Sequence, residues 1–520
     1  MIVERGLIMA YDPMDKKKPN LFSAITIGVS SIIGSGWLFA CYKTAQFAGP
    51  AGLYSWFIGA LLTLGAALLL AEIATYYHSE HAISARLLTL THNKDIGFLI
   101  SLPNWFYITL LIPAEAEASV QYLAHAYKPI SPYIFENGHF THWGVVGVCL
   151  FMCMYLLINY WGIRLLSRVN NIITLIKFAV PLLTAALFIY ASYHPDNFTA
   201  YQGTIAPYGY TKIFTAVVGC GIFYSFYGFG PVALFSRELQ NPQRNIPLAL
   251  IGSIVICAII YAVLQYSFIV SVPPSMLVNG WHELQFNSPL AELAVLLGMH
   301  WLAITLYVDS AISPSGSGII FLGSSARIFT GMSQDKQMPS VFGREHPEYL
   351  ISRVSLIFSL VFCTCLVVFF DNWDKMMVMV SVFMCLSCIA IPVSYCRLRK
   401  NDPHTKRLFK MPAGTIVSYI VYIAVTYLLS QCGFIALVTS GVFLLVFFGI
   451  YCSIYYRNLR LSIRAFLSSW SMFAYLILLT IFAYLVENNI GSEELVAVAL
   501  IITSTVSYYT LINQKNYNCS

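Results

Sequence analysis

Two short stretches of this sequence place backbone groups, rather than side chains, where they could bind a ligand. Gly28-Val-Ser-Ser-Ile-Ile-Gly-Ser-Gly36 and Tyr224-Ser-Phe-Tyr-Gly-Phe-Gly-Pro231 each interrupt an otherwise apolar run. Glycine costs about 1 kcal/mol and proline about 3 kcal/mol in a helix interior, so a helix is expected to break at both. In lipid, freed backbone groups must find partners or line a polar cavity. The N–H groups at a half-helix start, with the positive end of its dipole, suit a carboxylate, and unwound carbonyls accept from an ammonium. Such a pair of breaks suits a small zwitterion. Each stretch taken singly also fits close packing of helices through small residues.

Ionisable residues inside apolar runs are the second source of chemistry, because charge at that depth is costly and points to function. Lys177 sits in the middle of Ile172-Ile-Thr-Leu-Ile-Lys-Phe-Ala-Val-Pro181. A buried lysine can serve as a proton carrier, or it can be snorkelling or statically paired. Glu115 and Glu117 lie in Ile112-Pro-Ala-Glu-Ala-Glu-Ala118. Two residues apart on a helix, they point about 200° apart, so they cannot share one role. One is expected to face a cavity, favouring a cationic side chain or taking part in proton transfer; the other is expected to be paired at an interface. Asp309 is a partner candidate for Lys177, with Ser313 close by. Glu72 reads as a structural anchor. His78 and His81 lack a third ligand, and no metal site is expected; no cofactor motif is present either. The 13 cysteines are scattered and read as small buried hydrophobes.

The elements that position these residues follow from composition. Of 520 residues, 58% are apolar and 10% charged, with mean hydropathy +0.71. A soluble chain has roughly 25% charged residues, so this surface must meet lipid. The net charge of +6 does not suggest nucleic-acid binding, because the basic residues fall in short runs between apolar stretches. Spans of about 20 apolar residues are expected at 22–44, 50–77, 98–126, 142–160, 166–192, 213–236, 246–271, 300–328, 352–370, 376–397, 414–431, 434–455, 464–486 and 493–512. With these fourteen spans and a cytoplasmic N-terminus, 24 of 29 Lys and Arg fall on the inner side. Lys43, Lys128, Lys212 and Lys375 fall outside and Lys177 within a span, a bias that the positive-inside rule requires. No removable signal peptide is expected at the N-terminus.

The expected fold is therefore all-α and polytopic. Residues 1–20 form a cytoplasmic tail, 21–400 a core of helices 1–10, and 401–520 helices 11–14 with a short cytoplasmic C-terminus. Five spans separate the two breaks, so the first runs outward and the sixth inward. Two inverted five-helix repeats, each opening with a broken helix, mark a transporter's midplane site.

These motifs resemble those of the amino acid–polyamine–organocation (APC) superfamily of permeases over about residues 20 to 455. Ile32-Ile33-Gly34-Ser35-Gly36 resembles its first-helix motif. Gly228-Phe-Gly-Pro-Val-Ala-Leu-Phe-Ser-Arg-Glu-Leu-Gln-Asn-Pro-Gln-Arg-Asn-Ile-Pro247 resembles its sixth-helix segment, and Asn159–Arg164 and Asp309–Gly316 also have counterparts. The resemblance implies that Ser35 and the amides of Gly34 and Gly36 hold a substrate carboxylate. It implies that the carbonyls of Ile32 and Tyr227, beside Gly228, take the amino group, with Tyr224 an aromatic wall or gate. Lys177 resembles a lysine of proton-coupled members, placed where sodium-coupled relatives of the fold bind sodium. One departure stands out: exchangers carry a glutamate where this chain has Gly230. The resemblance implies secondary transport of amino acids or related amines across a cell membrane by alternating access, as a proton symport. Exchange, or a non-transporting sensor on the same fold, is the alternative. The partners implied are the substrate, protons and the bilayer, with a homo-oligomer an open option. No enzyme motif such as HExxH, a P-loop or GxSxG is placed to work.

Overall fold

The computed structural model describes residues 18–514 apart from 79, 81, 127–128, 137–138, 287, 370–372, 406 and 489. Most of the expected N-terminal tail, His81, Lys128, Lys406 and Lys515 lie outside the described residues, as does the Lys375 side chain.

Helix α1 (Leu21–Ile32) begins at Asn20, whose side chain accepts from the Ser23 N–H at 3.0 Å. It stops at the Gly34-Ser-Gly segment, and α2 (Trp37–Ala48) resumes the course. Gly49, at φ +64°, and Pro50 turn the chain into α3 (Gly52–Tyr76). The short α4 (Leu87–Thr91) leads to α5 (Lys94–Ala126), which runs unbroken through Pro103 and Pro113. Next come α6 (Ser131–Ile134) and a two-residue antiparallel ladder of β1 (Phe135–Glu136) with β2 (His139–Phe140), the one departure from all-α among the described residues. Helices α7 (His142–Tyr160) and α8 (Gly162–Ala191) follow.

The second break divides the chain into α9 (Thr211–Gly219), α10 (Ile222–Phe226) and α11 (Gly230–Leu234), with a tight turn at Tyr227–Phe229. Gly221 starts α10 at φ +69°, a left-handed conformation that a side chain disfavours. Beyond it lie α12 (Pro242–Ser271), α13 (Pro289–Leu296), α14 (His300–Gln334), α15 (Arg353–Phe369), α16 (Trp373–Cys388) and α17 (Ala390–Asn401). The last five are α18 (Gly414–Ser430), α19 (Phe434–Tyr456), α20 (Leu459–Ser468), α21 (Trp470–Glu487) and α22 (Glu493–Asn513).

Each expected span falls on helix, yet the number long and apolar enough to cross a membrane is smaller than fourteen. Among the described residues nine helices qualify by length and composition, or ten if the bent pair 211–217 and 222–234 counts as one. The difference has physical causes. The first break leaves a twelve-residue α1, α14 is rich in Ser and Gly at its middle, and α15 and α18 are short.

The core is built around α5, whose membrane-length window is wholly buried and which packs most extensively on α14. That burial allows two internal prolines, since neighbouring helices surround the backbone groups they free. Helix α1 packs against α12, α8 and α14, while α18, α19, α21 and α22 pack on one another at the periphery. Outward faces of α7, α8, α19 and α22 are largely exposed and apolar. Both described termini lie at one end of the bundle. There Pro19 accepts from the Gln240 N–H and Leu511 is hydrogen-bonded to His92.

Candidate functional site

The two breaks meet. A Cβ on Gly228 would lie 2.7 Å from the Ile32 nitrogen and nearer still to the Ser31 carbonyl, so only glycine permits this approach. Ile32, Gly34 and Gly36 from the first break and Tyr224, Tyr227 and Gly228 from the second line one cavity of about 30 Å³. Tyr107 and Glu115 of α5, Tyr261 of α12 and Met384 of α16 close its walls.

Several polar groups at the first break are engaged within the protein. The Ser35 N–H donates to Glu115 Oε2 at 2.8 Å. Lys177 Nζ, fully buried, donates to the carbonyls of Ser30 at 2.8 Å and Ile33 at 2.5 Å, and to Ser317 Oγ at 3.0 Å. Ser317 Oγ in turn donates to the Ser30 carbonyl at 2.6 Å. The Ile32 carbonyl accepts from the Tyr261 hydroxyl at 3.0 Å. A carboxylate and an ammonium thus grip the same unwound segment from residues 35 and 33, each satisfying backbone groups that lipid could not.

The residues singled out in the sequence are distributed as follows. Glu115 faces the cavity and holds the Ser35 amide, which lies between the Gly34 and Gly36 amides expected to hold a substrate carboxylate. The Ile32 carbonyl expected for an amino group is held by Tyr261, which sequence reasoning missed. Gly36 lines the cavity and its N–H carries no hydrogen bond among the described residues. Glu117 is buried away from the cavity, but the partner expected for it is not there: its carboxylate forms no ion pair or hydrogen bond among the described residues. Asp309, expected as a partner of Lys177 across the cavity, makes no hydrogen bond to it but interacts with its charge through space. Its Oδ2 accepts from Ser313 Oγ at 2.8 Å, its Oδ1 is buried without a hydrogen bond, and Lys177 reaches Ser317 instead. Ser317 lies one helical turn beyond Ser313 on the same face, and that spacing is the signal that could have found it. Glu72 is an anchor held by Arg399 at 2.8 Å, Arg407 at 3.1 Å and the Met411 N–H at 2.8 Å. Among the described residues no three His, Cys, Asp or Glu side chains gather as metal ligands would.

Access to the site is asymmetric. A second cavity of about 330 Å³ shares Gly36, Tyr224 and Ser225 with the first, so Tyr224 stands between the two. It extends to Lys43, Cys220 and Gln431, at the end of the bundle away from the termini. At the terminal end, ion pairs tie the elements shut. Arg327 of α14 forks onto Glu238 just after α11, both nearly buried, with its guanidinium 4.1 Å from the Phe235 ring centroid. Arg86 bridges Asp335 at 2.5 Å and Glu80 at 3.1 Å.

The family model for amino acid permeases matches residues 20–506. The chain belongs to the amino acid permease family. The permease is 32% identical over 493 residues to the glutamate/serine transporter AimA of Bacillus subtilis, covering 92% of this chain and 89% of that one. It is 30% identical over 503 residues to the aspartate-proton symporter of the same species, covering 95% and 96%. A more distant match, 28% identical over 337 residues, is to human cationic amino acid transporter 4, covering 62% of the permease and 50% of the relative. Family and helices together make the permease a multi-pass membrane protein of the APC superfamily.

Proposed function

We propose that this permease is a secondary transporter of amino acids that works by alternating access at the cavity between the two breaks, driven by proton symport. The observation that carries the reading is the double grip on residues 33–35. A substrate carboxylate seeking the Ser35 N–H must displace Glu115, and any movement of the first break must loosen Lys177 from Ser30 and Ile33. Proton exchange at either side chain changes the grip, which ties substrate binding to proton movement.

Acidic and small polar amino acids are the first substrates to test, given what the two bacterial relatives are named for. Glu115 is committed to the Ser35 amide, which argues against its serving as an open receptor for cationic side chains. A sixth-helix carboxylate gate of the exchanger kind has no counterpart here, since Gly230 stands at that position. We also carry forward the fourteen-span topology, with two inverted five-helix units, both termini cytoplasmic and the protein in a cell membrane. The positive-inside bias supports it.

Flux into proteoliposomes tests the reading. Labelled glutamate, aspartate or serine should accumulate when the lumen is alkaline, and replacing sodium with choline should change nothing. Lys177→Ala should bind substrate yet lose accumulation driven by the pH gradient. Uptake that needs substrate preloaded in the lumen would establish exchange. Binding without flux would establish a sensor.

A further inference from the structure

Helix α20 has an outer face that nothing among the described residues covers. It is joined to α19 by a sharp turn at Arg457, which sits at φ +50°, and begins at Asn458, whose side chain accepts from the Arg460 N–H at 2.9 Å. One face packs inward: Ala465 and Ser468 are buried, and the Phe466 ring meets Phe448 and Phe473 at centroid distances of 4.8 and 5.6 Å. Turned away from Ala465 and Ser468, Leu459, Ile463 and Leu467 stand in one stripe at four-residue spacing, 77%, 50% and 63% exposed.

The stripe is not isolated. The helices that α20 packs against, α19 and α21, are membrane-length and carry exposed apolar side chains of their own, Ile450 and Ile454 on the first and Trp470 and Ile477 on the second. Arginines border the stripe. Arg460 and Arg464 follow Leu459 and Ile463 by one residue each, about 100° round the helix, and so line one edge of the stripe, and Arg457 precedes them. All three are exposed, and their guanidinium groups have no ion pair or hydrogen bond among the described residues. Ser468 and Ser471 touch Gln514, which places α20 at the terminal end of the bundle.

We propose that α20 is an interfacial helix whose arginines bind the headgroup of an anionic phospholipid. An apolar stripe continuous with the lipid-facing surface seats the helix at the acyl boundary, and guanidinium groups beside it meet phosphates at headgroup level. Planar guanidinium forks match phosphate oxygens two at a time. The zwitterionic lipids present the same acyl chains without net charge, so the site distinguishes lipids by charge. The leaflet is the cytoplasmic one under the orientation proposed above; the headgroup site itself does not depend on that orientation or on which amino acid is carried.

The test uses the full chain in neutral detergent, with thermal unfolding followed as phosphatidylglycerol or phosphatidylcholine of identical acyl chains is added. Phosphatidylglycerol should raise the midpoint by several degrees more than phosphatidylcholine. That difference should fall by more than half in Arg457→Gln/Arg460→Gln/Arg464→Gln and persist in Lys336→Gln/Arg344→Gln, which removes exposed charge elsewhere. Equal shifts from the two lipids, or a full difference in the triple variant, overturns the proposal. Should the triple variant not fold, salt decides on the parent protein. The preference for phosphatidylglycerol should fade as salt rises, and a preference that survives high salt overturns the site.

Discussion

At the scale of single residues, the site is governed by how little room the first break leaves. A Cβ on Gly34 would run into the Glu115 carboxylate, with its Cδ only 3.0 Å away, whereas a Cβ on Gly36 meets nothing nearer than Ser225 Oγ at 3.9 Å. Both glycines belong to the same motif, but only at Gly34 would a side chain displace Glu115. Gly34→Ala is therefore expected to push Glu115 off the Ser35 amide and, by removing that rival, to tighten substrate binding by more than about threefold, and Gly36→Ala to bind within about threefold of the parent, a difference under about 1 kcal/mol. Equilibrium binding of labelled substrate to the two purified variants separates them, and equal affinity in both would deny the distinction. The glycines themselves were legible because a Gly-Ser-Gly in an apolar run has few other uses. That Glu115 rather than Glu117 turns to the cavity was not legible, because the rotation of α5 is fixed by what surrounds it. The partner of Lys177 was likewise hidden, since Ser317 lies 140 residues along the chain.

Among the elements, α22 shows how a peripheral helix is held. Its last carbonyls accept from cationic or polar side chains of the core: Leu511 is bonded to His92 Nε2 at 3.0 Å and Ile512 to Arg397 Nη1 at 2.6 Å. Burial pushes the His92 pKa down to about 4, against the pull of its bond to Leu511, so the ring is neutral near pH 7. The unfolded chain, with an ordinary histidine near 6.5, binds more protons than the folded one between these values. Stability from the neutral ring is thus fully present above about pH 6.5 and is lost as pH falls toward 4, by up to about 3 kcal/mol. The melting midpoint should drop between pH 7.5 and pH 5, and His92→Gln should flatten that drop; a parent whose midpoint is flat over this range would refute it. Element types came through clearly from apolar run length and Gly/Pro punctuation. The division of α16 from α17 near Ile389 did not, although Pro392 explains it: proline cannot donate to the Cys388 carbonyl. The fourteen-span count outran the helix lengths because hydropathy runs do not reveal how a broken or serine-rich helix is shortened.

The whole molecule is open toward the larger second cavity and closed at the terminal end, and the closure rests on buried ion pairs. Removing one partner of such a pair strands the other at about 3–5 kcal/mol. Glu238→Gln should therefore lower the unfolding free energy by about that much and speed hydrogen exchange at 235–241. Glu238→Gln/Arg327→Met should recover part of the loss, since no charge is left unpaired. A double variant as unstable as the single one would mean that the pair holds nothing shut. The grip of Glu115 on the Ser35 amide has a last consequence at this scale. It is a ligand on a tether, held at an effective concentration set by the rigidity of α5 rather than by the medium. Where, as proposed above, the cargo carboxylate takes this amide, it competes with that intramolecular rival, and the measured affinity is the difference between two associations with the same amide. Modest affinity then needs no poor contact with the cargo, and under the proposed symport the carrier returns empty with this amide already covered.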